Sequence, residues 1–393
     1  MTRNEKHLSS ENCFVNFDEA VALLYGKQIR NFTPKVVAIA TETVYGLAAL
    51  ASDEEAVNTI YRVKKRPQNN PLILHACSLR QLNDYVEVDL CSPAKKALFA
   101  LWPAPLTLVL PRKENIRAPI ATNISNHLPT LAVRIPDHTL MRSIIEHCGP
   151  IVAPSANLSG LPSPTLPKHI FEDYNGKIAV LQTGEAKSSN STENACEKGI
   201  ESTILREVPQ LHRSDSGLSL SDGSYWTLLR PGSMSLPEIA RKLGMHCTGF
   251  TIAQQAVMPH TPTSSTNLHL QDLHQDSSVQ CSPESSLEAR PQAPGQYFQH
   301  YTPHAPVHLA SNTTHWSPGE AIIGVEGRNY EGGNVLFRFN PNQPHSLMPH
   351  YYRLLREVDS EGLPSLWIDD LFLQIQTPAW QTLKERFFRS STP

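Results

Sequence analysis

The sequence predicts an α/β protein in two unequal parts, a larger domain built on a twisted, mixed sheet and, beyond a linker, a smaller α/β domain. Three observations carry this. From Val36 to about Leu243, short apolar runs alternate with helix-like stretches. Between residues 248 and 288 the composition turns to Ser, Gln, His, Thr and Asp, with no Lys or Arg before Arg290. After that break the alternation resumes. At 393 residues, 40% hydrophobic and 18% charged, the chain has room for two or three domains with apolar cores.

In the larger domain the expected strands are VVAIA (36–40), LIL (72–74), LTLVL (106–110), LAVRI (131–135) and IVA (151–153). Ser52 with Glu55 reads as a capping box that opens a helix over 52–64. Ala56, Ile60 and Val63 share one face of it, and its basic end runs into a loop. Ser235, with Glu238 and the early Pro237, repeats the device at the last helix of the domain. The domain is set at 1–247, the linker at 248–290 and the second domain at 291–393. In the latter, AIIGV (321–325), VLFRF (335–339) and SLWID (365–369) read as strands, and 347–357 and 378–388 as helices.

Bulk properties exclude several classes. A formal net charge of -3 argues against coating nucleic acid through bulk charge. The seven cysteines, Cys13, Cys77, Cys91, Cys148, Cys196, Cys247 and Cys281, are scattered and never form C-x-x-C, so neither a disulfide framework nor a zinc site is expected. MTRNEKHLSSENC holds no apolar signal core and no run of 18 apolar residues occurs, so a cytoplasmic protein without a membrane span is expected.

Six strings could hold chemistry. The first, VKKRPQNNPL (63–72), carries Lys64, Lys65 and Arg66 just after Arg62. Cations at a helix end suit the helix dipole and usually face solvent. Here Pro67 and Pro71 stiffen the loop and Asn70 adds an amide, an arrangement suited to a triphosphate where no G-x-x-x-x-G-K-[ST] loop exists. The second, APSANLSGLPSPT (153–165), is either a turn-rich connection or a ligand loop after a strand, with Ser155, Asn157, Ser159 and Ser163 as its polar groups. TETVYGL (41–47) reads as a strand-to-helix cap or as part of the site. Arg134 in LAVRIPDH, ESTI (201–204) and LLRPG (228–232) say little separately.

Together and in order, the six strings resemble the YrdC/TsaC-type threonylcarbamoyl-AMP synthases, which carry T-[DE]-T-V-Y-G-L, K-x-R-P-x-x-x-P-L, V-R-x-P, A-P-S-A-N-x-S-G, E-S-T and R-P-G segments. APGQYFQHYTP (293–303) and YYRLLREVDSEGLPSLWI are similar to the longer, two-domain form of these enzymes. The chain departs from that pattern at Ala40, at a serine-rich insertion over 187–198, at Gln299 and in TPAWQTLKERFFR, which lacks the usual glycines. The resemblance implies a YrdC-like twisted mixed sheet with helices, then a linker and a smaller Rossmann-like α/β domain.

It also implies roles. Thr43, His75, Arg134 and Ser202 would contact threonine, and Lys64, Arg66, Asn70, Thr130, Ser155, Asn157, Ser163, Arg230 and Tyr301 would surround ATP. Lys64, Arg66, Ser155 and Asn157 would be the residues closest to the chemistry, with Arg62 and Lys65 left as surface charges. The implied reaction joins L-threonine, bicarbonate or CO2 and ATP, with Mg2+ on the ATP, into threonylcarbamoyl-AMP and pyrophosphate. The threonine carbamate attacks the α-phosphate, so the enzyme mainly positions and neutralises. No acidic cluster announces protein ligands for the metal. The product would serve modification of certain transfer RNAs through a separate transferase. Two alternatives are a carbamoyl-adenylate-forming carbamoyltransferase and a non-enzymatic RNA-binding module.

Overall fold

The computed structural model describes residues 13–116, 118–182, 196–209, 214, 216–251, 301–310, 316–317, 319–343 and 346–391. β1 (Phe14–Val15) and α1 (Phe17–Leu24) come first, and Asn16 and Glu19 close a reciprocal capping box at the helix start. There follow β2 (Val37–Ile39), β3 (Gly46–Leu50), α2 (Glu54–Lys64), β4 (Ile73–His75), α3 (Leu79–Leu82), α4 (Pro93–Phe99) and β5 (Leu106–Pro111). β6 (Thr130–Arg134), α5 (Thr139–Cys148), β7 (Ile151–Val152), α6 (Pro167–Tyr174) and β8 (Val180–Leu181) continue the chain. β9 (Thr203–Val208), β10 (Gly217–Leu220), β11 (Tyr225–Arg230), α7 (Leu236–Leu243) and β12 (Cys247–Thr251) complete the domain.

These strands form a twelve-stranded mixed sheet in the order β1-β8-β2-β3-β7-β4-β6-β5-β9-β11-β10-β12. Its centre is buried on both faces, which is why VVAIA, LTLVL and LAVRI read as near-continuous apolar runs rather than as alternations. β4 and β6 run parallel with His75 opposite Arg134, so two polar residues meet at one end of an apolar pair.

Three sequence expectations change. TETVYGL joins β2 to β3 and is therefore a strand-to-strand turn: Thr41 Oγ1 donates to the Val44 carbonyl at 2.7 Å and accepts from the Thr43 amide at 3.1 Å. The cap of α2 is Asp53, not Ser52, because the Asp53 carboxylate accepts from the Ala56 amide at 3.0 Å. The Glu55 carboxylate lies 2.6 Å from Lys35 Nζ, and α2 carries no reciprocal box. The larger domain also runs past residue 247, because Cys247–Thr251 pairs as β12 with β10. At α7 the Ser235 hydroxyl does accept from the Glu238 amide, at 3.3 Å. Residues 252–290 of the expected linker and 293–300 of the following motif lie outside the described residues.

In the second domain β13 (Val307–Leu309), β14 (Ala321–Val325), β15 (Asn334–Phe339) and β16 (Leu366–Ile368) make an all-parallel sheet in the order β13-β16-β14-β15. The helices Tyr351–Ser360 and Pro378–Ser390 cover it, the latter inserting the fully buried Trp380. The core of this domain also takes in Val44, Ile200 and Tyr301, so the two domains share one apolar seam. Among the described residues no helix is long and apolar enough to cross a membrane, and no disulfide joins the described cysteines to one another.

The cap reassignment has a measurable consequence. Asp53→Ala is expected to destabilise the protein by about 1 kcal/mol in urea unfolding, and Ser52→Ala by only a few tenths. Equal losses from the two variants would return the cap to Ser52.

Candidate active site

A cavity lined by many charged and polar side chains opens where the ends of β4, β6 and β11 meet the β2–β3 turn and the loop after β7. Its volume is ≈ 740 Å³ counting the solvent at its mouth, and Thr43, Lys64, Arg66, His75, Arg134, Ser155, Asn157, Ser202, Arg230 and Tyr301 all line it. These are ten of the thirteen residues singled out in the sequence; Asn70, Thr130 and Ser163 stand outside the wall.

Local geometry explains how the basic run reaches this cavity. Lys65 caps α2 in the left-handed region at φ 52°, which turns the chain so that the Arg66 amide donates back to the Tyr61 carbonyl at 2.9 Å. Arg66 is then fixed by Asn70. Its Nη2 donates to Asn70 Oδ1 at 2.6 Å and to the Pro71 carbonyl at 2.9 Å, and its Nε donates to the Asn70 carbonyl at 3.2 Å. Asn70 is thus the brace of the arginine rather than a wall of the cavity, because its side-chain oxygen is committed to the guanidinium. Burial, reinforced by the Arg230 charge, brings the Arg66 guanidinium down to about 10, still cationic at neutral pH. Arg62 and Lys65 are exposed.

Lys64 behaves differently. It is 1% exposed, and its Nζ donates to the Ser155 carbonyl at 2.5 Å and to the Asn157 carbonyl. Its own carbonyl accepts from the Ser159 amide at 3.0 Å. The ammonium therefore clamps the 153–165 loop, and burial followed by the Arg66 charge drives its pKa well below the lysine range. Within that loop the Asn157 Nδ2 donates to the Leu158 and Leu161 carbonyls, both at 2.8 Å, leaving Oδ1 without a partner among the described residues. The Ser155 side chain lines the cavity, half-buried.

On the opposite wall Arg134, at the end of β6, is paired with Glu42, Nη2 to Oε1 being 2.6 Å. Both its terminal nitrogens donate to Thr43 Oγ1 at 3.2 Å, and its buried Nε has no partner among the described residues. Burial pushes the Glu42 carboxyl up, but the Arg134 charge and hydrogen bond outweigh it and the pKa ends below the usual carboxylate range. His75 is neutral: burial and then the Arg134 charge push it down to about 3. Its Nδ1–H donates to the Ile73 carbonyl at 3.1 Å, which leaves Nε2 as a bare acceptor.

The last corner joins two motifs. Arg230, at the end of β11, donates through Nε and Nη2 to the Ser202 carbonyl at 3.2 and 2.8 Å, and through Nη2 to the Ser202 hydroxyl at 3.2 Å. Gly232 permits this approach, since a Cβ there would lie 2.3 Å from the Ser202 carbonyl carbon and the Thr203 nitrogen. Ser163 is fully buried and donates to Glu201 Oε1 at 2.7 Å, so its hydroxyl supports Glu201 from behind. Thr130 begins β6, about 13 Å from Arg134 at the usual strand rise, and its buried Oγ1 has no partner among the described residues.

Sequence reasoning missed Glu201, Tyr352 and Arg386. Glu201 lines the cavity and its Oε2 accepts from the Tyr352 hydroxyl at 2.9 Å and Arg386 Nε at 3.1 Å. Glu201 sits in the ESTI string and was legible as a candidate; the other two lie more than 150 residues away and carry no local signal.

A family model described as telomere recombination, for Sua5, YciO and YrdC proteins, matches residues 33–213. Another, described as threonylcarbamoyl-AMP synthase, C-terminal domain, matches 266–392. The threonylcarbamoyl-AMP synthase of Schizosaccharomyces pombe is 32% identical over 383 residues, covering 87% of this chain and 81% of that protein. That of Pyrococcus abyssi is 40% identical over 214 residues, covering 53% of this chain and 54% of its own length. The match to the Bacillus subtilis synthase, 33% identical and covering 71% of this chain, likewise spans 64% of that protein. The solved structure of P. abyssi Sua5 complexed with L-threonine superposes with a TM-score of 0.64 at 26% identity, covering 95% of this chain and 93% of that one. With both domain models matched in order and most of a full-length relative covered, the chain belongs to the threonylcarbamoyl-AMP synthase family, in the form that carries the additional C-terminal domain.

Proposed function

We propose that this protein condenses L-threonine, bicarbonate or CO2 and ATP into threonylcarbamoyl-AMP and pyrophosphate. The observation that carries the reading is the convergence of Arg66, Arg134 and Arg230 from three separate motifs on one cavity, beside Thr43, His75, Ser155 and Ser202. A buried polar cavity with that much positive charge suits a polyanion and a small zwitterion together.

The two walls divide the work. Arg134, already oriented by Glu42 and Thr43, presents its remaining donors to a carboxylate, while the bare His75 Nε2 accepts from an amine or hydroxyl of threonine. Arg66 and Arg230, held by Asn70 and Ser202, offer pre-oriented charge to the phosphates. Lys64 contributes by fixing the loop that carries Ser155 and Asn157, and Tyr301 closes the cavity from the linker side. Thr130, with its unpartnered hydroxyl, suits the far end of the nucleotide.

In the reaction the threonine amine adds to the carbon of CO2, supplied as such or from bicarbonate with release of water, and loses a proton to give a carbamate; its oxygen attacks the α-phosphorus, the bond to the bridging oxygen breaks, and pyrophosphate leaves with that electron pair. Magnesium belongs to the substrate as Mg-ATP, and among the described residues no group of three or more His, Cys, Asp and Glu is placed to hold it. A cytoplasmic location and delivery of the product to a transferase acting on transfer RNA complete the proposal.

Two outcomes test it. Labelled threonine, bicarbonate and Mg-ATP are expected to give threonine-dependent pyrophosphate release, and Arg66→Ala is expected to lower turnover by about 10² or more. Pyrophosphate release indifferent to threonine would sink the reading in favour of a carbamoyl-adenylate chemistry.

The second concerns His75. Its depressed pKa means that the native state resists protonation where the unfolded chain accepts a proton, so its contribution to stability is whole above about 6.5 and is lost as pH falls from there toward about 3. Nitrogen NMR is expected to show a neutral Nδ1–H ring that does not titrate around neutrality, and threonine affinity that carries no imidazole titration. An imidazolium at neutral pH contradicts the assigned acceptor role.

A further inference from the structure

The sequence marks TPAWQTLKERFFR as the part of the chain that departs from the two-domain pattern, yet this segment forms the helix Pro378–Ser390, and one of its side chains reaches the catalytic domain at two places and Tyr301 at a third. Arg386 is 0% exposed. Its Nε donates to Glu201 Oε2 at 3.1 Å, its Nη2 donates to the Pro231 carbonyl at 2.8 Å, and its guanidinium carbon lies 5.1 Å from the Tyr301 ring centroid. Glu201 precedes Ser202 in the E-S-T string, Pro231 follows Arg230 in the R-P-G turn, and Tyr301 is the aromatic wall contributed from the linker side. One turn earlier Thr382 Oγ1 donates to the Gly232 carbonyl at 3.0 Å.

We propose that Arg386 is a positioning residue for the synthase reaction, fastening the E-S-T segment, the R-P-G turn and Tyr301 into one working geometry, with Tyr352 as its partner on Glu201. The inference rests on the function proposed above and deepens it, since it makes the second domain a structural part of the site. Arg386 is not among the residues that line the cavity and acts through Glu201, Pro231 and Tyr301.

Glu201 is a carboxylate in a cavity that should take triphosphate, and a bare anion there would repel the nucleotide. Three groups absorb it: Ser163 on Oε1, and Tyr352 and Arg386 on Oε2. Burial pushes the Glu201 carboxyl up, but the Arg386 and Arg230 charges outweigh it and leave it ionised. Removing Arg386 therefore leaves a buried, under-compensated carboxylate next to Ser202 and frees Glu201 to turn toward Arg230. It also removes the cation 5.1 Å from the centroid of the Tyr301 ring, which stacks as well on the Tyr352 ring at 5.1 Å between centroids. A misplacement of about 1 Å at such contacts is enough to cost about 10²-fold in rate.

The test uses the full-length chain and its Arg386→Ala, Arg386→Lys, Glu201→Gln and Arg386→Ala/Glu201→Gln variants. Arg386→Ala is expected to lower kcat/KM for threonine by about 10². Lysine, keeping the charge without the fork, recovers part of that loss, and the double variant loses clearly less than the product of the single losses. Amide hydrogen exchange supplies a readout independent of activity: in Arg386→Ala, residues 200–203 and 230–233 lose protection while the helix Tyr351–Ser360 keeps it. Wild-type kinetics and protection in Arg386→Ala overturn the inference. So does equal loss of protection throughout the second domain, which makes Arg386 a residue of that domain's own stability. If the wild-type chain forms no threonylcarbamoyl-AMP, the proposed function fails, and the exchange pattern still decides the positioning role.

Discussion

Positive charge held out of water is the constraint on which the site depends. Lys64, Arg134, Arg230 and Arg386 are each at most 5% exposed, and an uncompensated buried cation costs several kcal/mol. Each is accordingly answered by a particular acceptor: the Ser155 and Asn157 carbonyls for Lys64, Glu42 for Arg134, the Ser202 carbonyl for Arg230, Glu201 for Arg386. The acceptors come from different strings of the sequence. Satisfying the cations therefore forces the strings together, and the cavity is what remains between them.

The same requirement explains the spacing inside the strings. Asn70 stands four residues beyond Arg66 because the loop must fold back to present its amide oxygen to the guanidinium, and Pro67 and Pro71 limit the conformations that do so. The glycine of the R-P-G turn is needed because the turn lies against the E-S-T backbone with no room for a side chain. Lys64, placed at the end of α2, secures the loop after β7 through three backbone contacts across the cavity floor.

The second domain obeys the constraint as well. Arg386 enters to neutralise Glu201, and Arg356 donates to the Pro162 carbonyl and pairs with Asp173 at 2.8 Å, so two buried arginines tie the smaller sheet to the larger one. Apolar burial of Val44 and Ile200 among residues of the second core seals the same seam. A domain attached only by its linker would need neither.

The sequence by itself determined eight of the strands, β2, β4 to β7 and β14 to β16, and the helices α2 and α7, because period and capping are local, and it determined ten of the residues that line the cavity, because their strings are short and specific. It misjudged what is decided by competition between neighbours. Ser52 lost the cap of α2 to Asp53, whose two carboxylate oxygens serve the Ala56 amide and Lys35 at once, and residues Thr248–Thr251 joined a strand because β10 offered an unpaired edge. Local reading also gives no sign that Asn70 turns its oxygen to Arg66 and Ser163 its hydroxyl to Glu201. Only the tertiary structure could bring Tyr352 and Arg386 to Glu201. A charge pairing across more than 150 residues leaves no periodicity, cap or motif in the chain; it exists only once both sheets have formed and a buried carboxylate needs a partner.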